Sequence, residues 1–146
     1  MSNYVEPAGG TAKQRDLVSR VVHFCIEELM PRMRTLDIEI LLTKLEPNAK
    51  GFCLMTDNNR MFELEIEKRM PEQEIITTVC HEMVHVKQYA RNELTDTEGC
   101  WKGKILDADS YGNTSPWEVE AYEAEEILTL KFKTTEGSYF FCIRWY

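Results

Sequence analysis

Apolar residues in this chain recur with two periods, and the change from one to the other marks its elements. From Thr11 to about Met30, Leu17, Val21, Phe24, Cys25 and Leu29 fall on one face of a helix, which Pro31 ends. Residues 36–45 alternate in part as a strand. Gly51–Thr56 and Met61–Lys68 bracket Asp57-Asn58-Asn59-Arg60, a hairpin signature, since Asn and Asp tolerate positive φ in tight turns. In the second of these strands Phe62, Leu64 and Ile66 alternate with Glu63, Glu65 and Glu67, giving one buried face and one wet face. From Pro71 the helical period returns through Ile75, Val79, Met83, Val86 and Ala90. Pro71 suits N1, Glu72 and Glu74 suit the positive end of the dipole, and Lys87 and Arg91 suit the other end. A last helix begins near Ser115, with Trp117, Ala121, Ala124 and Leu128 on one face. Residues 127–133 and 138–146 read as extended segments, the first alternatively as a continuation of that helix. Pro7, Gly9 and Gly10 make residues 1–10 a flexible arm. This order predicts an α+β domain with a small, mostly antiparallel sheet.

The chemistry of the chain concentrates at His81-Glu82-Met83-Val84-His85, an H-E-x-x-H sequence that takes two of its three histidines. Residues four apart on a helix lie one turn apart on the same face, so both imidazoles can aim at one point. Zn²⁺ accepts neutral imidazole nitrogen at about 2.0–2.1 Å and lowers the pKa of its water to about 7. Glu82, beside the first histidine, is placed to take that water's proton. Thr78, His81, His85 and Gln88 form a stripe next to the apolar one, so one side of the helix is buried and the adjacent side offers the imidazoles.

A catalytic zinc site needs a third protein ligand. No further histidine follows the motif at the required spacing, since positions 88–91 read Gln-Tyr-Ala-Arg. His23 lies far upstream on another helix and reads as a half-buried polar residue. The last helix offers carboxylates. Ser115 is its N-cap, Pro116 its N1, and Glu118 can close a capping box. Glu118 and Glu120 flank the apolar face at about 80° on either side, and periodicity does not choose between them. Glu123, Glu125 and Glu126 read as surface charges.

His81-Glu82-x-x-His85 followed by a helix bearing Glu118-x-Glu120-Ala121 resembles the gluzincin-type zincin metallopeptidases, most of all small stand-alone bacterial and phage forms. The resemblance covers residues 71–130. In that family the third ligand is a glutamate on a later helix. The pattern E-x-E-A often marks it, with the first glutamate on the metal, which points to Glu118 with Glu120 as the alternative. The family often has Asp or Asn four residues after the ligand, bonded to a zinc-bound histidine; Tyr122 stands there instead, leaving that partner unassigned. The resemblance implies a single zincin-like domain over residues 1–146 and one Zn²⁺ per chain. It also implies hydrolysis of peptide bonds, with Glu82 as general base.

Composition changes this picture little. A chain of 146 residues with 43% hydrophobic content makes one ordinary domain. The net charge of −8 and the scattered Lys and Arg argue against a nucleic-acid partner, and against a protease of DNA-bound proteins. With no leader-like N-terminus and no membrane-length run, the cytoplasm is the expected location. Five cysteines without a C-x-x-C suggest reduced thiols, with Cys25, Cys53 and Cys142 as small core residues. Cys80, about 100° around the helix from His81, is not a ligand.

Two further expectations concern the cleft. Met61–Lys68, just before the zinc helix, is the candidate edge strand for pairing with an extended peptide. The connector between the two helices, with Trp101-Lys102-Gly103 and Asp107–Asn113, roofs the site. Tyr111 or Tyr122 can donate to an oxyanion. The Asp107–Asn113 stretch lacks the full ladder of a calcium loop and reads as a polar turn. The alternatives to a peptidase are a non-catalytic zincin-fold module for binding or structure, and a regulator that acts on one protein partner.

Overall fold

In the computed structural model, residues 2–95, 100–105 and 115–144 are described, with backbone alone at 105 and 137–144. The chain enters through β1 (Tyr4–Gly9), which pairs in parallel with β2 (Asp37–Thr43). The expected flexible arm is therefore a sheet strand over most of its length. Gly9 and Gly10 turn it into α1 (Ala12–Leu29) with φ of +74° and +57°. A β-carbon at Gly9 would lie 2.1 Å from the Leu42 carbonyl oxygen, so the glycine marks a close backbone approach rather than looseness. Thr11 then caps α1: its hydroxyl accepts from the Gln14 N–H, and its own N–H donates to the Gln14 side chain. Parallel strands need a crossover between them, and α1 provides it.

β3 (Gly51–Met55) and β4 (Met61–Glu67) form the expected hairpin. Its turn uses no left-handed residue. The Thr56 hydroxyl accepts from the Asn58 N–H at 3.1 Å, and the Asn58 side chain accepts from the Arg60 N–H at 2.9 Å. β4 also pairs in parallel with β2, so the sheet order is β1-β2-β4-β3 and two of its three pairings are parallel. This corrects the mostly antiparallel expectation. The sequence pattern located the strands, but a strand's direction depends on the crossover, which the pattern does not encode. The order also corrects the edge: β4 is interior, and the outer strand of the hairpin is β3.

One sheet face is buried by α1 and by α2 (Glu72–Ala90), which begins one residue after Pro71. Ile38, Ile40 and Leu42 from β2 and Phe62, Leu64 and Ile66 from β4 meet Val18, Val21 and Ile26 of α1 and the whole predicted stripe of α2. The opposite face carries Leu41, Glu39 and Glu63 into solvent. After α2 come three two-residue strands, β5 (Leu94–Thr95), β6 (Cys100–Trp101) and β7 (Lys104–Ile105), paired antiparallel in that order. α3 (Pro116–Arg144) follows as one continuous helix. The extended segments expected at 127–133 and 138–146 are absent from 127 to 144, because the apolar face of α3 runs on through Leu128 and Phe132. Phe132 meets Phe24 edge to face at 5.5 Å. The architecture is α+β, and no helix among the described residues is long and apolar enough to cross a membrane.

Glu67 breaks the alternation of β4 by being buried. It accepts from the Leu45 and Arg69 backbone N–H groups and from two nitrogens of the Arg69 guanidinium, at 2.7–2.9 Å. Arg69 foremost holds this carboxyl well below the usual carboxylate range, with the backbone donors assisting against burial. A depressed pKa contributes stability above the unfolded value, and that contribution is lost as pH falls through the folded one. Glu67→Gln should therefore lower Tm at pH 7, and the gap to wild type should close as pH drops below about 4. Thermal melts at several pH values check this; a gap that is constant with pH would assign the effect to packing instead.

Candidate metal centre

α2 and α3 lie side by side and antiparallel. Moving forward along α3, Trp117 bonds Gln88, Glu118 reaches His85 and His81, Glu125 reaches His81, and Thr129 reaches Thr77. The facing stripes explain this pairing, since Val79, Met83 and Val86 and then Ala121, Leu128 and Phe132 are all buried. The stripe beside the apolar one on α2 is thus pressed against the first turns of α3.

His81, His85 and Glu118 meet there, with one ligand atom from each lying within 4.8 Å of the others. A single oxygen, Oε1 of Glu118, stands 3.1 Å from Nε2 of His81 and 2.9 Å from Nε2 of His85. Ligands at about 2.0–2.1 Å from a tetrahedral zinc are roughly 3.4 Å apart, so a small outward shift opens room for an ion. The group can hold a metal ion, and its two-nitrogen, one-carboxylate donor set suits zinc. Of the two candidate ligands, Glu118 is the one at this point. Its place in the first turn of α3 sets it against the imidazoles of α2.

The outer nitrogens of both rings are also held. Nδ1 of His85 donates to Oε1 of Gln88 at 2.8 Å. The orientation of that amide is fixed, because its nitrogen donates to the Trp117 carbonyl at 2.9 Å and to Glu120 at 3.0 Å. Gln88 is fully buried, so none of these bonds is shared with water. Nδ1 of His85 therefore carries a proton, and Nε2 is the nitrogen turned toward Glu118, where it donates when the ring is protonated and is free for a metal when the ring is neutral. Glu120, the alternative ligand, sits behind this arrangement, also bonded to Lys87 at 3.1 Å. Nδ1 of His81 faces a carboxylate oxygen of Glu125 at 3.5 Å.

Sequence reasoning missed these two supports. It placed Gln88 on the histidine stripe without a role and read Glu125 as a surface charge. A signal existed for both: Gln88 is seven residues after His81 and Glu125 seven after Glu118, two turns along the same face. Glu125 also supplies a carboxylate to His81 that Tyr122 cannot. The Tyr122 ring instead packs against His81 with centroids 4.8 Å apart, beside the cleft. Tyr111 and Asp107–Asn113 lie outside the described residues. His23 is exposed on α1 and does not join the group, while Cys80 is buried with its sulfur 3.8 Å from that of Cys25.

The carboxyls differ sharply in environment. Glu118 is held down at about 2, first by its bond to His81 and then by that to His85. Glu82 is 6% exposed, and burial pushes its pKa up, partly offset by His85 and His81. His85 is pulled down by burial, but Glu118 and Gln88 outweigh this and its pKa is raised. A cleft of about 750 Å³ opens between β3, α2 and α3, with His81, Glu82, His85 and Glu118 in its wall. In comparisons with known proteins, no family model matches the chain, and no curated protein or solved structure matches it either.

Replacing residues that orient ligands typically costs 10–100-fold in metal affinity. Gln88→Leu and Glu125→Ala should each weaken zinc binding by about that range, and Glu118→Ala by more. Glu120→Ala should have less effect than Glu118→Ala. Calorimetric titration with Zn²⁺ ranks the four; a larger loss for Glu120→Ala than for Glu118→Ala would move the ligand to Glu120.

Proposed function

We propose that this chain is a zinc-dependent metallopeptidase that cleaves peptide bonds. The observation that carries this reading is the convergence of His81, His85 and Glu118 within 4.8 Å, with the buried carboxyl of Glu82 next to His81 in the same cleft. Zinc, when bound, supplies a Lewis acid that acidifies water and polarises a carbonyl. His81, His85 and Glu118 would supply the three protein ligands that a catalytic zinc site uses.

Glu82 acts as the base. Its raised pKa brings it closer to neutrality than the ligand Glu118, the direction a proton carrier needs. It accepts a proton from water as the water oxygen bonds to the peptide carbonyl carbon. When the carbon–nitrogen bond breaks, the same proton passes to the leaving amine, and the carboxylate is restored. Tyr122, at the cleft wall against His81, is the described candidate for donating to the developing oxyanion.

Substrate backbone is held by the exposed edge of β3. Gly51, Phe52 and Cys53 line the cleft, and the far side of the strand has no sheet partner among the described residues. An extended peptide can add there as a fifth strand. Beside the peptidase reading stands that of a zinc-holding module that binds peptide without cutting it.

The first measurement is zinc per chain, with His85→Ala alongside: one zinc is expected in the unmodified protein and none in the variant. Glu82→Gln should keep the zinc and lose at least about 100-fold in cleavage rate. Undiminished cleavage by that variant would sink the mechanism. Bound zinc with no cleavage across a diverse peptide library would favour the binding module.

A further inference from the structure

The cleft differs in character at its two ends. β3 and α2 run in the same direction past the metal point: a β-carbon at Gly51 would touch Thr78, one turn before His81, at 2.8 Å. β3 is antiparallel to β4, which leads into α2, and Cys53, further along β3, lines the cleft with Glu82 and Tyr89. Before the metal point the lining is mostly polar, with Gln73, Glu74, Thr77 and Lys50, beside the exposed Phe52 of β3. Beyond it the lining is Tyr89, Leu94 and Trp117. This second end is a fixed apolar wall. Tyr89 stacks on the buried Phe62 at 6.4 Å, Leu94 is buried, and the Trp117 ring lies 6.3 Å from Trp101. The carbonyl of Trp117 is held by Gln88, so the backbone that carries the indole is anchored by the same buried amide that orients His85.

We infer that this end is a side-chain subsite for a large apolar or aromatic residue on the N-terminal side of the cleaved bond. The inference rests on the peptidase reading for its orientation. Antiparallel pairing is the more stable per residue, so a peptide on β3 runs opposite to the strand. Its N-terminal half then lies against Tyr89, Leu94 and Trp117, and its C-terminal half against Gln73, Glu74 and Thr77. Burying an aromatic side chain at the Tyr89, Leu94 and Trp117 end removes apolar area from water, whereas at the Gln73, Glu74 and Thr77 end it would cover polar groups. The preferred substrates are thus peptides with an aromatic or bulky aliphatic residue followed by polar residues.

Two peptides of equal composition test this, acetyl-Ala-Ala-Phe-Ser-Gln-Ala-amide and acetyl-Ala-Gln-Ser-Phe-Ala-Ala-amide. Binding to the zinc-loaded Glu82→Gln chain is measured by calorimetry, and cleavage by the unmodified chain by mass spectrometry. The first peptide should bind at least about tenfold tighter and be cut between Phe and Ser. Trp117→Ala should erase the difference in binding. Equal binding and cleavage of both peptides, or a preference for the second, overturns the subsite and leaves the peptidase reading intact. Tighter binding of the first with cleavage of neither supports the subsite and overturns the peptidase reading. Because the peptide comparison is made without altering the apolar wall, the result stands even if Trp117→Ala fails to fold.

Discussion

The cleft depends on one buried amide. Gln88 has no contact with water, and each polar atom of its side chain is bonded: the oxygen to His85, the nitrogen to the Trp117 carbonyl and to Glu120. An amide has one accepting end and one donating end, so bonds of opposite sense at the two ends leave it a single orientation. That orientation fixes the His85 tautomer and, through the same nitrogen, the start of α3. Leaving any of these buried groups unpaired costs about 1–3 kcal/mol, which no rearrangement into solvent recovers. The relative placement of α2 and α3 is therefore specified by polar geometry as well as by apolar packing. Apolar stripes alone tolerate sliding by a fraction of a turn, and a slide of that size would separate Glu118 from the imidazoles.

Much of this was legible in the sequence. The helix of 72–90, its buried stripe and the adjacent histidines follow from period 3.6. The hairpin of β3 and β4 follows from a polar Asp57–Arg60 turn between two apolar segments, the second of which alternates. Glu118 emerged only with the help of a resemblance, because Glu118 and Glu120 are symmetric about the apolar face and the choice depends on which side meets α2. Strand direction was hidden for a related reason. Alternation reports which residues face the core, not which strand is the neighbour, so β4 looked like an edge and β1 like a loose arm. Glycines at 9 and 10 misled because looseness and close approach call for the same residue. Glu125 was overlooked because a helix rich in glutamate gives no compositional reason to single one out.

The sheet bears on the site through its order. With β4 interior, its three apolar residues anchor the floor under α2, and β3 alone is left to face the cleft. An edge strand is a liability unless its free groups find use, since it invites pairing with other chains. Here the outer edge of β3, unpaired among the described residues, lies beside the group that could hold a metal ion, and the close contact of Gly51 with Thr78 leaves no room there for a side chain. Gly51 thus brings backbone, rather than side chain, to the position where an extended peptide would need hydrogen-bonding partners.

Of the glutamates lining this cleft, Glu82, Glu118 and Glu125 are driven apart by their surroundings. Glu118 lies between two imidazoles, which favour its anion and so suit it to hold a cation. Glu82 sits on the buried side of α2, where loss of solvent is the dominant influence and disfavours its anion. Glu125 is also raised by burial, with His81 opposing, and it faces the ring nitrogen turned away from Glu118. Residue type is the same in all three, so the difference comes from position: one helix turn toward the imidazoles, or a neighbouring place on the buried face. Under the proposed reading, separation of this kind would let one class of side chain serve as ligand, base and orienting group at a single pH. It also explains why the overall charge of −8 says little about the cleft, where the local field around each carboxyl is set by groups within one turn of it.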